Sequence, residues 1–399
     1  MNRAWRVVAL LWFVALLNYL DRQLIANMGG PIKADLHIGD GAFGLFTSMF
    51  LWIYALTSPI AGLVADRFGR RPVILFSLAV FSAATFGTGF APSYGWMVAA
   101  RAVMGVSESF YMPAAVSMVV EYHRGRTRSL ATGLHLSGVY YGSVLGGMGG
   151  WIAETLGWRN GFKLFGVIGV TYALVLSFLL RDAPPVEHEP RPEGRPMPAA
   201  AIGALLGSGA FVLLLLANAC DGAMWVVRNW TPIFFNTELG VSLTRSGLYG
   251  TAIFNAAAFA GMLLAAVLAD RLGVRNPRAR ALIPAIGFCM AGPCLFCAGL
   301  FPATLFLAMV PVVGMSQGFW DTNLMPAMCT VTSPRHRATG YGLLNLVGTF
   351  AGGVMTYAGG LLKDAHVPFA RTFQFAAVIL LGAGLLLTRV KPVAVREGA

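Results

Sequence analysis

Stretches of apolar residues long enough to cross a lipid bilayer recur along this chain, and that recurrence limits what it can fold into more than any other feature. A helical span needs roughly 20 such residues. Bounded by charge, Pro or Gly, the stretches predict twelve helices at 5–28, 41–64, 72–91, 95–120, 130–153, 161–180, 205–236, 245–269, 280–300, 303–329, 338–362 and 369–388. A β-barrel is excluded, because its strands would alternate polarity every second residue. The expected fold class is an all-α membrane protein of twelve transmembrane helices in two pseudo-symmetric halves of six.

Composition agrees: 57% of the 399 residues are hydrophobic and 12% charged, against about a quarter charged in soluble domains. Soluble enzymes, nucleic-acid binders and secreted domains are thereby excluded. The net charge of +12 is not the mark of a polyanion partner, since the basic residues sit in short runs between apolar stretches, where they orient helices. With the N-terminus, the even-to-odd loops and the C-terminus placed in the cytoplasm, 20 of the 29 Lys and Arg residues lie inside. Only Lys33, Arg159, Lys163, Arg245, Lys363 and Arg371 lie in the opposite loops. Both termini are therefore expected on the cytoplasmic side of a cell inner membrane. No cleavable signal is expected, since the first apolar stretch runs on through Asn18, Asp21 and Arg22 without a small-residue cleavage site. Cys220, Cys289, Cys294, Cys297 and Cys329 all fall inside apolar stretches. They read as packing residues, with no disulfide framework and no metal site.

The one long polar gap, RDAPPVEHEPRPEGRPMPA at 181–199, is Pro-rich, charged and aperiodic. It reads as a cytoplasmic linker between an N-terminal six-helix half, 1–180, and a C-terminal half, 200–399. An internal repeat supports this division. GLVADRFGRR (62–71) has a weaker counterpart in AAVLADRLGVR (265–275), and Asn18 and Asp21 recur as Asn218 and Asp221. Such similarity is what duplicated transporter halves leave in sequence, with the substrate site near mid-membrane.

Charges inside a span cost on the order of 2.5–3.5 kcal/mol each at a helix centre and usually face a cavity. This chain places Asp21, Arg22, Arg101, Glu108, Asp221 and Asp321 there, with Arg228 nearer an outer end. Arg101 and Glu108 are seven residues apart, which puts them on one helix face about 10 Å apart. Asn18 and Arg22 share a face of the first helix with Asp21 beside them, and Asn218, Asp221 and Trp225 make a second polar stripe. Each arginine requires a permanent counter-charge, a carboxylate or an anionic substrate. Asp21 and Glu108, unlike the arginines, can exchange a proton as a site fills and empties. The same four charges could instead be structural ion pairs locking two helices together.

GLVADRFGRRP (62–72) resembles the signature of the major facilitator superfamily, and helix count, linker and repeat extend the resemblance over the whole chain. It implies a gate-latching role for Gly62, Asp66, Arg67, Arg70 and Arg71. NYLDR (18–22), Tyr54 twelve residues before Asp66, and Arg101 with Glu108 are similar to the anion:cation symporter branch of sugar-acid and organic-anion carriers. That likeness implies Arg22, Tyr54 and Arg101 as anion ligands, Asp21 and Glu108 as proton-coupling residues, and Trp320 and Asn345 as contacts from the C-terminal half. The branch's glutamine in the fifth helix falls near Val139, leaving Tyr140 and Tyr141 as the nearby polar groups, with Tyr140 taken as a candidate ligand. NYLDRQ with PIKADL (31–36) also resembles Spinster-like lysolipid and sphingoid-lipid carriers, which share the Arg-x6-Glu of the fourth helix.

His135 is expected at the membrane interface near the basic loop, and Gln317, Trp320 and Asp321 on one cavity-lining face. Gly146, Gly147, Gly149, Gly150, Gly352 and Gly353 are expected to permit close helix packing. The absence of a GxxxxGK[ST] sequence excludes ATP as a direct energy source. The reading is therefore of a non-enzymatic, monomeric secondary transporter that imports a small organic anion with protons by alternating access. It has no catalytic residue, cofactor or nucleic-acid partner, and draws its energy from the proton gradient. A lipid carrier and a non-transporting sensor are the alternatives.

Overall fold

The computed structural model of the chain describes residues 3–123, 127–183, 199–273, 276, 278–301, 303–333 and 336–391. The predicted linker residues 184–198 lie outside this set. Among the described residues every regular element is helical: α1 (Arg3–Asn27), α2 (Gly29–Leu36), α3 (Asp40–Phe68), α4 (Arg70–Thr88), α5 (Tyr94–Tyr122), α6 (Arg128–Gly146), α7 (Gly149–Thr155) and α8 (Trp158–Leu179). There follow α9 (Ala199–Leu206), α10 (Gly209–Thr237), α11 (Leu243–Gly247), a π-helical turn (Leu248–Ile253), α12 (Phe254–Gly273), α13 (Ala279–Phe296), α14 (Ala303–Val331), α15 (Arg337–Asp364) and α16 (Phe369–Thr388). Among the described residues nine helices are long and apolar enough to cross a membrane by length and composition, α11 and α12 counting as one span, Leu243–Gly273, across the π turn. With α6, α14 and α15 the twelve expected spans are present.

Local chemistry sets the ends. Ser93, Ser208 and Ser242 each accept a hydrogen bond from a backbone N–H of the first turn of α5, α10 and α11, so orphan donors at these starts are satisfied. Gly69 joins α3 to α4 at φ +90°, a left-handed conformation that favours glycine. Two predicted spans are interrupted. The fifth breaks after Gly146 into α6 and α7, and the eighth carries the π turn.

The chain divides into two compact units, Met1–Arg195 with Val241–Ala252, and Pro196–Gly240 with Ile253–Ala399. Segment 241–252 joins the first unit through the Thr244 hydroxyl, bonded to Glu154, and the Thr251 hydroxyl, which donates to Asn27 Oδ1 at 3.0 Å. Within the first unit α1 packs on α6, α3 on α5, and α4 on α5 and α8. Within the second, α10 packs on α15, α12 on α14, and α13 on α14 and α16. In order of spans these are the same pairings, first with fifth, second with fourth, third with fourth and sixth. The duplication suggested by sequence is thus repeated in helix packing.

The α1–α6 seam depends on missing side chains. Gly138, Gly142 and Gly146 of α6, and Gly149 at the start of α7, meet the α1 backbone or side chains at Trp12, Leu16, Gln23 and Asn27 in turn. A Cβ on Gly138 would lie 2.6 Å from the Trp12 carbonyl oxygen, and one on Gly142 would meet the Leu16 carbonyl closer still. In membranes, where apolar burial gives little drive between helices, such close approach supplies the dispersion contact that holds them. Gly348 and Gly352 do the same against Asn218 and Trp225 on the α10–α15 seam.

Gly142→Val should destabilise the protein by about 1–3 kcal/mol or more, as overpacking does. Gly133→Ala, where a Cβ meets nothing within 4 Å, should be close to neutral. Thermal unfolding of detergent-purified protein, read alongside monodispersity, measures both, and equal stability of the two variants would contradict the seam's role.

Candidate functional site

The first unit buries four charges. Arg22 on α1 donates from Nε to Glu108 Oε2 on α5 at 2.7 Å, and the glutamate side chain is wholly buried. Asp21, 3% exposed, turns the other way and accepts from the Thr85 hydroxyl of α4. It lines a small space with Leu17, Phe81, Ser82 and Phe165. The one-residue step between Asp21 and Arg22 turns the helix by about 100°, so these neighbours serve different faces of α1. The sequence sets Asp21 beside the face that Asn18 and Arg22 share, and nothing in it marks Thr85 as the carboxylate's donor. A buried hydroxyl one turn from Phe81 carries no signal in sequence that separates it from ordinary helix threonines.

The guanidiniums sit among aromatic rings. Arg22 Cζ lies 4.5 Å from the Tyr19 ring centroid and 4.8 Å from those of Phe50 and Tyr54. Arg101 Cζ lies 5.3 Å from Phe46 and 5.4 Å from Phe50. These faces attract a cation, and Phe50 is shared by both arginines. Tyr19, Phe46 and Phe50 were likewise not singled out from sequence, because aromatic residues on a spanning helix ordinarily face lipid or core.

The two arginines are not equivalent. Arg22 has a direct carboxylate partner, whereas Arg101, 3% exposed, has Met104 Sδ at 3.9 Å as the contact of its Nη1. Its Nε has no hydrogen-bond partner among the described residues. Asp21 and Glu108 act on Arg101 through space. A planar guanidinium so placed can accept a bidentate oxyanion.

Tyr140, on α6, is half-buried, and Tyr141, 53% exposed, packs its ring against Trp12 at 5.7 Å. His135 is fully buried, with its ring 6.0 Å from that of Tyr111.

The second unit holds its own polar cluster. Asp221 on α10 lies within electrostatic reach of Gln317, Trp320 and Asp321 of α14 and of Arg228. Gln317 Nε2 donates to Asp321 Oδ1 at 2.8 Å. Trp320 is buried against Phe288, ring centroids 5.3 Å apart. Asp321 itself is exposed. Asn345, on α15, is half-buried, and Asn218 donates to the Leu344 carbonyl at 2.6 Å. No group of three or more His, Cys, Asp or Glu that could hold a metal occurs among the described residues.

Around the loop between α3 and α4, Gly62 falls within α3, and the side chain of Asp66 lies outside those described. Arg70 pairs with Glu121 at 3.3 Å, and Arg67 lies over the Phe68 ring at 5.6 Å. Arg71 donates to the Leu180 and Ser177 carbonyls at 2.7 and 2.6 Å. It thereby caps the last turn of α8, whose final carbonyls have no helical donor.

Comparison with known proteins agrees with this architecture. A solved bacterial homologue of the human lysosomal transporter Spinster, in an inward-facing, occupied conformation, superposes with a TM-score of 0.82 at 22% identity, covering 98% of this chain and 97% of that one. The "Ascorbate transporter, chloroplastic" of Arabidopsis thaliana is 28% identical, over 90% of this chain and 70% of its own length. The "Probable galactarate/D-glucarate transporter GarP" of Escherichia coli K12 is 25% identical, over 96% of this chain and 92% of its own. These relatives are transporters and not enzymes. The family model described as Major Facilitator Superfamily matches residues 11–356 and 223–398, and this multi-pass membrane chain belongs to that superfamily.

Proposed function

We propose that the protein is a proton-coupled symporter that imports a small organic anion, a sugar acid or similar carboxylate, across the cell inner membrane by alternating access. In this reading it works as a monomer with both termini in the cytoplasm, driven by the proton gradient and without a cofactor. The observation that carries the reading is Arg101, a buried guanidinium with an unpartnered Nε, beside an Arg22 already matched by Glu108. A buried, incompletely compensated cation costs several kcal/mol, and a substrate carboxylate would offset that cost. The relatives named for ascorbate and for galactarate/D-glucarate support an anionic cargo.

Coupling follows from the Arg22–Glu108 pair. While ionised, Glu108 holds Arg22; a proton on Glu108 removes that claim and frees the guanidinium for a substrate carboxylate. Proton and anion then enter together, and neither is stabilised fully without the other. Asp21, held by Thr85 on the neighbouring face, is the second proton-linked carboxyl. Tyr54, whose ring lies under the Arg22 guanidinium, and Tyr140 would supply hydroxyls to the cargo. Gly62, Asp66, Arg67, Arg70 and Arg71 would control conformational exchange. The apolar surroundings of Arg101, Phe46, Phe50 and Met104, would also suit an amphiphile, as in a lipid carrier. Thermal stabilisation of the purified protein by sugar acids, other carboxylates and lysolipids separates the two, since ligand binding raises apparent stability.

Arg101→Gln should abolish this ligand stabilisation in a protein that remains folded. Arg101→Lys should fail as well, because an ammonium cannot present a planar fork. Unchanged affinity in a stable Arg101→Gln protein would refute the anion site.

In proteoliposomes, Glu108→Gln should retain substrate exchange while losing accumulation against a gradient when the pH difference is imposed, and Asp21→Asn should behave alike. Uphill uptake persisting in both would move the proton path to Asp221 and Asp321.

A further inference from the structure

A second basic site lies apart from the buried quartet, at the end of the first unit where α1 begins and α5 and α8 finish. A cavity of about 620 Å³ opens there, walled by Ala9, Leu10 and Leu179 and rimmed by Arg3, Arg6 and Arg181. No acidic residue is among its described lining residues, and no described carboxylate forms a salt bridge with any of the three arginines.

The walls are fixed in place. The Tyr122 hydroxyl donates to the Arg181 and Asp182 carbonyls at 2.8 and 2.9 Å, and Arg71 holds Leu180 from the other side. The Trp5 ring packs edge-on against His123 at 4.5 Å, which ties the first turn of α1 to the end of α5. Arg3 and Arg6 stand in that first turn, which contains no acidic residue. Cations there oppose the helix dipole, whose positive end is the N-terminus. Two arginines and a helix start therefore direct positive potential at one cavity, and an anion in it would relieve the repulsion.

The apolar wall narrows the class of anion. Leu179 is 57% exposed, and Leu174 and Phe178 on the same helix are exposed as well. On a spanning helix such side chains face lipid. The cavity thus joins a triple-guanidinium rim to a surface that accepts acyl chains. We propose that it binds an anionic phospholipid, its phosphodiester between Arg3, Arg6 and Arg181 and the start of an acyl chain along Leu10 and Leu179. Basic pockets of this kind at the end of a helix bundle recognise headgroup charge and apolar stem together. Occupancy would brace α1 against α8 beside Arg71, and so set the lipid dependence of the protein's stability.

Native mass spectrometry of the full-length protein, equilibrated in detergent with phosphatidylglycerol or phosphatidylcholine, tests this. Phosphatidylglycerol should be retained at least about tenfold better. That preference should disappear in R3Q/R6Q/R181Q, and Ala9→Trp, which fills the cavity and leaves the charges, should lower retention in a protein that folds normally. Glycerol phosphate alone should not compete at the same concentration. Equal retention of the two lipids, or full retention by both variants, would overturn the proposal. So would glycerol phosphate competing as well as the lipid, which would make this a free-phosphate site. So, too, would a tenfold rise in retention on neutralising Glu187, Glu189 and Glu193, which would make the chain's own acidic segment the occupant.

Discussion

The contact between Arg22 and Glu108 is the one on which the chemistry of the first unit depends. An arginine at membrane depth cannot shed its proton in exchange for neutrality, so its charge must be answered by the protein or by what the protein carries. Glu108 answers Arg22 across two helices, while Arg101 is left with a thioether and two ring faces. The four charges sum to zero on paper, yet the geometry distributes them unevenly. The proposed anion site rests on that unevenness more than on the number of charges.

Close packing makes the arrangement possible. The glycines of α6 let α1 approach until backbones touch, and α1 carries Asn18, Asp21 and Arg22 with it. The equivalent seam in the second unit, Gly348 and Gly352 against α10, positions Asn218 and Asp221 in the same manner. The two units thus share a scaffold and differ in charge. The first mixes guanidiniums and carboxylates, and the second places two carboxyls around one amide, with Arg228 directed to Asn255 at 3.5 Å.

The fold alone does not choose the cargo. A Spinster homologue superposes over nearly the whole chain, while relatives by sequence are named for ascorbate and for galactarate/D-glucarate. One scaffold hosting several cargoes is the rule for large fold families. In the reading proposed above, discrimination comes from the side chains around Arg22 and Arg101. The loop arginines serve the scaffold differently, Arg70 by pairing with Glu121 and Arg71 by capping α8, which also shapes the basic cavity at that end.

The sequence by itself determined the class of solvent, the number of spans, the duplication and the intramembrane charges. Each of these is written in runs of about twenty residues, in Lys and Arg bias, or in residue types too costly to place in lipid by accident. It also led to the family, through the loop motif after α3. Only the tertiary structure decided which charge meets which. Asp21 and Arg22 are adjacent in sequence yet face Thr85 and Glu108 on different helices, a choice made by the rotation of α1 against its neighbours. His135 lies wholly buried beside Tyr111. Phe46 and Phe50 became partners of the arginines where α3 meets α5 at Gly105, whose Cβ would lie 2.8 Å from the Phe50 carbonyl oxygen. A contact between helices depends on their approach and rotation, and these are set by the packing of all the side chains along a seam, which no local pattern records.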